Sequence, residues 1–162
     1  MKIHDIMTQD VRTCGLESSL TEVARQMRAA CCGAIPVVDA DGSIAGVVTD
    51  RDISMAIVNS TRKPINIAAR EVMSPHVHFC APDDDVRAAL HTMKMARVRR
   101  LPVIGPGGRL AGIVSMDDVI LRALAPDAPD STEIVDSLRE IVLYHEKNDL
   151  LSEKPAASSP GG

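Results

Sequence analysis

Lys94, Arg97, Arg99 and Arg100 put four cations within seven residues of a chain whose formal net charge is −4. Such crowding of like charge invites an anion, and planar guanidinium forks match phosphate oxygens in pairs. The same cations at a helix end would also complement its dipole with no ligand present. Thr49-x-x-Asp52 and Ser115-x-x-Asp118 are a second chemical feature. Each follows a run of β-formers and precedes an apolar periodic segment, so hydroxyl and carboxylate fall at a helix start. There they can close a capping box worth about 1 kcal/mol. They can equally accept hydrogen bonds from vicinal hydroxyls of a ligand.

Two further groups carry less. His76, His78 and Cys80 alternate, so one strand face would align three soft ligands. The matching residues earlier in the chain are Asp10, Arg12 and Cys14, a different donor set, and no metal is expected. Cys14, Cys31, Cys32 and Cys80 form no Cys-x-x-Cys pair. Cys14 and Cys80 read as buried small hydrophobes, and no redox role is expected of Cys31 or Cys32.

The elements that position these residues come twice. Shifted by 66 residues, the chain overlays itself without a gap: Met7 on Met73, Cys14 on Cys80, Met27 on Met93, Pro36 on Pro102, Gly46 on Gly112 and Asp52 on Asp118. Each copy reads β-α-β-β-α. The first β-runs are Val11–Cys14 and Val77–Cys80. Amphipathic helices follow, marked by Leu20, Val23, Ala24, Met27 and Ala30, and by Val86, Ala89, Leu90, Met93 and Ala96. Ser18 and Asp84 are their expected N-caps. Hairpins come next, Ala34–Asp39 with Ile44–Thr49 and Leu101–Ile104 with Leu110–Ser115. Helices close the copies at Asp50–Asn59 and Met116–Leu124. One copy alone would expose an apolar sheet face, so the two should pack together. The fold class is thus mixed α/β. Residues 1–60 and 67–125 form the copies, 131–147 an amphipathic helix started by Ser131 or Thr132, and 152–162 a disordered tail. Ile134, Leu138, Ile141 and Val142 mark the apolar face of that helix.

Composition narrows the function. Of 162 residues, 45% are hydrophobic and 25% charged, as in ordinary globular proteins. The acidic balance argues against nucleic-acid binding. No apolar run is long enough to span a bilayer, and the start has no signal-peptide core, so a cytoplasmic protein with no membrane partner is expected. With one Phe, one Tyr and no Trp, a binding site must rely on backbone groups, aliphatic walls and a few polar anchors. No nucleophile–base constellation or P-loop appears, so no enzyme is expected.

The doubled motifs Ile6-Met7-Thr8 and Val72-Met73-Ser74, Ile35-Pro36-Val37-Val38 and Leu101-Pro102-Val103-Ile104, and Gly46-Val47-Val48-Thr49-Asp50-Arg51-Asp52-Ile53 and Gly112-Ile113-Val114-Ser115-Met116-Asp117-Asp118-Val119 resemble a tandem pair of cystathionine-beta-synthase (CBS) domains, the Bateman module. The resemblance covers about residues 1–125. It implies two repeats packed as a pseudo-two-fold pair, usually regulatory, often dimerising into a flat disc. It implies an adenosine-containing ligand in the clefts between repeats: AMP, ADP or ATP, or a relative such as S-adenosylmethionine or NAD. An effector protein of unknown identity would read the resulting change in shape or oligomeric state.

The resemblance also assigns residues. Thr49 with Asp52 and Ser115 with Asp118 would hold ribose. In the gamma subunit of AMP-activated protein kinase a basic pair before the Leu/Ile-Pro-Val element contacts phosphate, and Arg99 and Arg100 stand in that position. Thr13, Phe79, Ala34, Ile35, Pro36, Leu101 and Pro102 would form the cleft walls. The first copy has Cys32-Gly33-Ala34 where the second has its arginines, so the two clefts should differ. The competing expectation is an interaction module with degenerate clefts and no small-molecule ligand.

Overall fold

The computed structural model describes residues 1–152, with side chains to residue 146. The disordered tail expected at 152–162 lies, beyond residue 152, outside the described residues. The elements are β1 (Cys14–Gly15), α1 (Leu20–Ala29), β2 (Ala34–Val38), β3 (Ile44–Thr49), α2 (Asp50–Asn59), α3 (Val86–Ala96), β4 (Arg100–Ile104), β5 (Leu110–Ser115), α4 (Met116–Leu121) and α5 (Ser131–Ser152), with short 3-10 turns between them.

Both hairpins are antiparallel and share one register. Ile35 faces Val48 and Val37 faces Gly46, as Leu101 faces Val114 and Val103 faces Gly112. The first β-runs are shorter than expected. β1 keeps two residues, parallel to β2 through Cys14–Val37 and Gly15–Val38, and the second run keeps only the Cys80–Val103 bridge. Here period-2 patterning over four residues overestimates the pairing, because the chain meets the sheet only at its inward cysteine and, in the first copy, the glycine after it.

Helix starts move by one residue. Ser19, not Ser18, caps α1 by accepting from the Glu22 N–H at 3.3 Å, and Asp85, not Asp84, caps α3 by accepting from Arg87. The neighbours bind the preceding turn instead: Ser18 Oγ accepts from the Gly15 N–H and Asp84 from the Ala81 N–H. The buried stripe of α1 is Leu20, Val23 and Met27, while Ala24 and Ala30 face solvent. α4 ends at Leu121, short of the expected Leu124.

The two repeats are interlocked. Lead residues Ile3 and Ile6 bury in the second core with Leu90, Met93, Leu101 and Val114, whereas Ile67 and Ala69 bury in the first core with Leu20, Val23, Ile35 and Val48. The exchange is a symmetric pair of bridges, Thr8 with Ile113 and Ser74 with Val47. It explains two repeated glycines. A Cβ on Gly112 would stand 2.7 Å from the Thr8 carbonyl oxygen, and one on Gly46 would stand 2.9 Å from that of Ser74, with Met7 and Met73 packed over them.

α5 docks on the second repeat. Ile134 and Ile141 are buried in its core and Leu138 packs against it, but Val142 remains exposed, so the apolar stripe is narrower than the sequence implied. The start is capped by Asp130, which accepts from the Thr132 N–H at 2.7 Å, rather than by Ser131 or Thr132. That bond lowers the Asp130 carboxyl pKa. Lys94 of α3 pairs with Asp136 of α5, which raises the ammonium pKa and lowers the carboxyl pKa, chiefly through their hydrogen bond. Among the described residues no helix is long and apolar enough to cross a membrane.

Candidate functional site

A cavity of ≈ 400 Å³ lies between the repeats. The first repeat lines it with Gly33 and Ala34 at the start of β2, Val47 and Thr49 of β3, and Asp50 and Arg51 at the start of α2. The second contributes Ser74, His76, Val77 and His78 from its lead segment, then Arg97, Val98, Arg99, Arg100 and Pro102 across the α3–β4 junction. His145 of α5 completes the lining. Of the groups with a fixed charge, the lining holds arginines 51, 97, 99 and 100 against the single carboxylate of Asp50. A cavity of this size between two repeats suits a small organic anion.

The strand ends turn the cations into the cavity. The Arg99 carbonyl accepts the first N–H of α4, from Met116 at 2.9 Å, just as the Gly33 carbonyl accepts the first N–H of α2, from Asp50 at 3.1 Å. These repeat-equivalent clips fix the backbone and leave the Arg99 and Arg100 side chains exposed, with no ion pair among the described residues. The asymmetry between clefts has a local cause. A Cβ at Gly33 would come within 3.0 Å of Asp50 Oδ2, so a small residue opposite an acid in the first repeat replaces an arginine opposite Met116 in the second.

The Thr/Ser–Asp pairs are complete capping boxes. Asp52 Oδ2 accepts from the Thr49 N–H at 2.8 Å and from Thr49 Oγ1 at 2.7 Å, while Thr49 Oγ1 accepts from the Asp52 N–H at 3.2 Å. Asp118 Oδ2 does the same with Ser115, at 2.8 Å and 2.5 Å. In both, Oδ2 is committed to the cap, and the Oδ1 atoms carry none of these bonds.

Among the expected residues, the cavity brings together Ala34, Thr49, Arg97, Arg99, Arg100 and Pro102, while Lys94 of the basic cluster pairs with Asp136 and the other expected wall and ribose residues stay outside the lining. Ile35 and Leu101 are fully buried core, and Pro36 is buried with them. Asp52, Ser115 and Asp118 are half-buried behind their caps. Thr13 is half-buried outside the lining, and Phe79 is 58% exposed because Cys80 beside it turns inward. His76 and His78 line the cavity, but Cys80 lies in the core against Val103, so the three do not share a site. Among the described residues no three His, Cys, Asp or Glu side chains converge as metal ligands. Burial pushes the Cys14 and Cys80 thiols up, to about 11 and about 12. Sequence reasoning missed Ser74, Val47, Asp50, Arg51 and His145. The doubled lead motif pointed to Ser74, whereas nothing in the repeat pattern pointed to His145.

The CBS domain family matches residues 3–59 and again 69–125. The chain belongs to the CBS domain family. Uncharacterized protein YlbB of Bacillus subtilis is 36% identical over 121 residues, covering 74% of this chain and 80% of that protein. The chain spans 61% of uncharacterized protein MK0525 of Methanopyrus kandleri, 29% identical, and only 24% of an inosine-5'-monophosphate dehydrogenase of Methanocaldococcus jannaschii, 30% identical. Among solved structures, Hypoxic Response Protein I with two coordinated zinc ions superposes with a TM-score of 0.69 at 32% identity, over 76% of this chain and 99% of that one. CBSX2 in complex with AMP gives 0.67 at 24%, over 76% and 96%. The CBS domain pair of MJ0100, with 5-methylthioadenosine and S-adenosyl-L-methionine, gives 0.65 at 22%, over 75% and 94%.

Proposed function

We propose that this CBS pair is a regulatory, non-catalytic module that binds an adenine nucleotide between its repeats and signals through a change of shape or assembly. The observation that carries this reading is the joining, in one cavity, of Thr49 from the first repeat with Arg99 and Arg100 of the second, which have no ion pair among the described residues. Arg99 and Arg100 take the phosphate, and backbone groups beside Ala34 and Pro102 meet the base. Thr49 takes the ribose, with Asp52, behind it and outside the lining, fixing its hydroxyl through the cap. The AMP and S-adenosyl-L-methionine complexes of CBSX2 and MJ0100 support an adenosine-type ligand. The second cleft, with Ser115 and Asp118 but no arginine pair, holds a less charged ligand or none.

Ligand works as a switch only by favouring one conformation over another. The surface that transmits the switch is the exposed apolar face closing each repeat: Met55 and Val58 of α2 in the first, and their equivalents Leu121 and Leu124 in the second, with Leu124 98% exposed. A cytoplasmic homodimer formed through this surface, and read by an effector protein, is the assembly we propose. The test is to denature purified protein and identify any released compound by absorbance and chromatography. A released adenine compound supports the reading. A blank, followed by no thermal shift with AMP, ADP, ATP or S-adenosylmethionine, overturns it.

One observation favours a second reading. Both capping boxes are satisfied without ligand, and Asp52 and Asp118 stand outside the cavity lining. An interaction module with degenerate clefts would look like this at those residues. It gives no role, however, to the arginines.

A further inference from the structure

We propose that α5, which lies beyond both repeats, is part of the binding site: Tyr144 and His145 position Arg97 for the ligand, so that occupancy of the cavity and docking of α5 strengthen each other. This rests on the nucleotide reading above.

Arg97 sits at the C-cap of α3 in the left-handed region, φ 58° and ψ 38°; its repeat equivalent Cys31 is left-handed too, at φ 49°, and the same cap hydrogen bonds hold this backbone in both copies. The second copy adds two consecutive residues of α5 against Arg97. His145 Nε2–H donates to the Arg97 carbonyl at 3.2 Å, and the Arg97 guanidinium lies over the Tyr144 ring, 4.3 Å from its centre. The backbone just after Arg97 is the stretch that aims Arg99 and Arg100 into the cavity, and both Arg97 and His145 line it. Stacking occupies one face of a guanidinium and leaves its edge N–H groups free for an anion. Tyr144 therefore does not compete with phosphate for Arg97. It removes the rotamer freedom that an exposed arginine would lose on binding. By linkage, a ligand that Arg97 helps to hold must stabilise the docked α5 by the same factor.

The experiment is calorimetric titration of the full chain with AMP and with adenosine, alongside hydrogen exchange across α5. Tyr144→Leu should weaken AMP about three- to fivefold and leave adenosine unchanged, while Tyr144→Phe, which keeps a ring, should bind AMP as the wild type does. AMP should slow exchange in the Tyr144–His145 turn of the wild type, and should not do so in Arg97→Gln. If Tyr144→Leu binds AMP as tightly as the wild type, or AMP leaves exchange in α5 unchanged, the positioning role is wrong and the nucleotide reading stands. If the wild type binds neither compound, both fall.

Discussion

Asp52 and Asp118 each serve a helix start first. Their Oδ2 atoms close the capping boxes whether or not a ligand is present. Asp118→Asn should therefore lower stability by about 1 kcal/mol, read by chemical denaturation, and leave AMP affinity in the arginine-bearing cavity unchanged. Arg100 stands in the opposite situation, with no partner to lose among the described residues. Arg100→Ala should leave the melting temperature unchanged and weaken AMP about tenfold, the worth of one charge-assisted hydrogen bond, while adenosine binding is unaffected. Equal weakening of both ligands would remove Arg100 from the phosphate role. The cysteines give an independent check on burial. Cys31 is exposed, whereas Cys14 and Cys80 have thiols raised by desolvation. A thiol reagent near neutral pH should label Cys31 in the folded protein and reach Cys14 and Cys80 only on unfolding. The arginine cluster and the capping motif were legible as residue types. Which face each side chain presents was not: Phe79 and Cys80 are adjacent, and a single bridge to Val103 decides that the thiol goes in and the ring goes out.

At the scale of elements, the hairpins and their following helices were legible to within a few residues at their ends, because the repeat supplies two independent copies of each hydrophobic pattern. The first β-runs were not, since four alternating residues do not reveal how many find a partner. The lead segments were the least legible. Met7-Thr8 and Met73-Ser74 read as the openings of their own repeats, yet each lies across the hairpin of the other. Only the close approach over Gly46 and Gly112 discloses the exchange. Gly112→Ala should cost about 1–3 kcal/mol, since the Thr8 carbonyl it meets is held by a backbone bridge, and should lower Tm by several degrees. An unchanged Tm would mean that the lead segment moves away at no cost. α5 was legible as a helix, but its contribution to the cavity was not, because that contribution lies outside the repeat pattern.

The whole molecule is one interlocked pair rather than two beads. Each core takes apolar side chains from the other copy's lead segment, Ile3 and Ile6 in one direction and Ile67 and Ala69 in the other. A fragment ending at residue 60 lacks Ile67 and Ala69 and keeps Ile3 and Ile6 without their core, so it should show no cooperative thermal transition by circular dichroism. The same interlock makes the cavity a property of the pair, since neither repeat alone brings Thr49 to Arg99 and Arg100. The central claim is that this shared cavity binds a nucleotide through its phosphate. Its most direct test is calorimetric titration of the full chain with AMP, beside the double substitution Arg99→Gln and Arg100→Gln. The account predicts that the wild type binds AMP in preference to adenosine and that the double variant, melting at the same temperature, loses that preference. AMP binding that is equal in both proteins, or absent from the wild type, would contradict it.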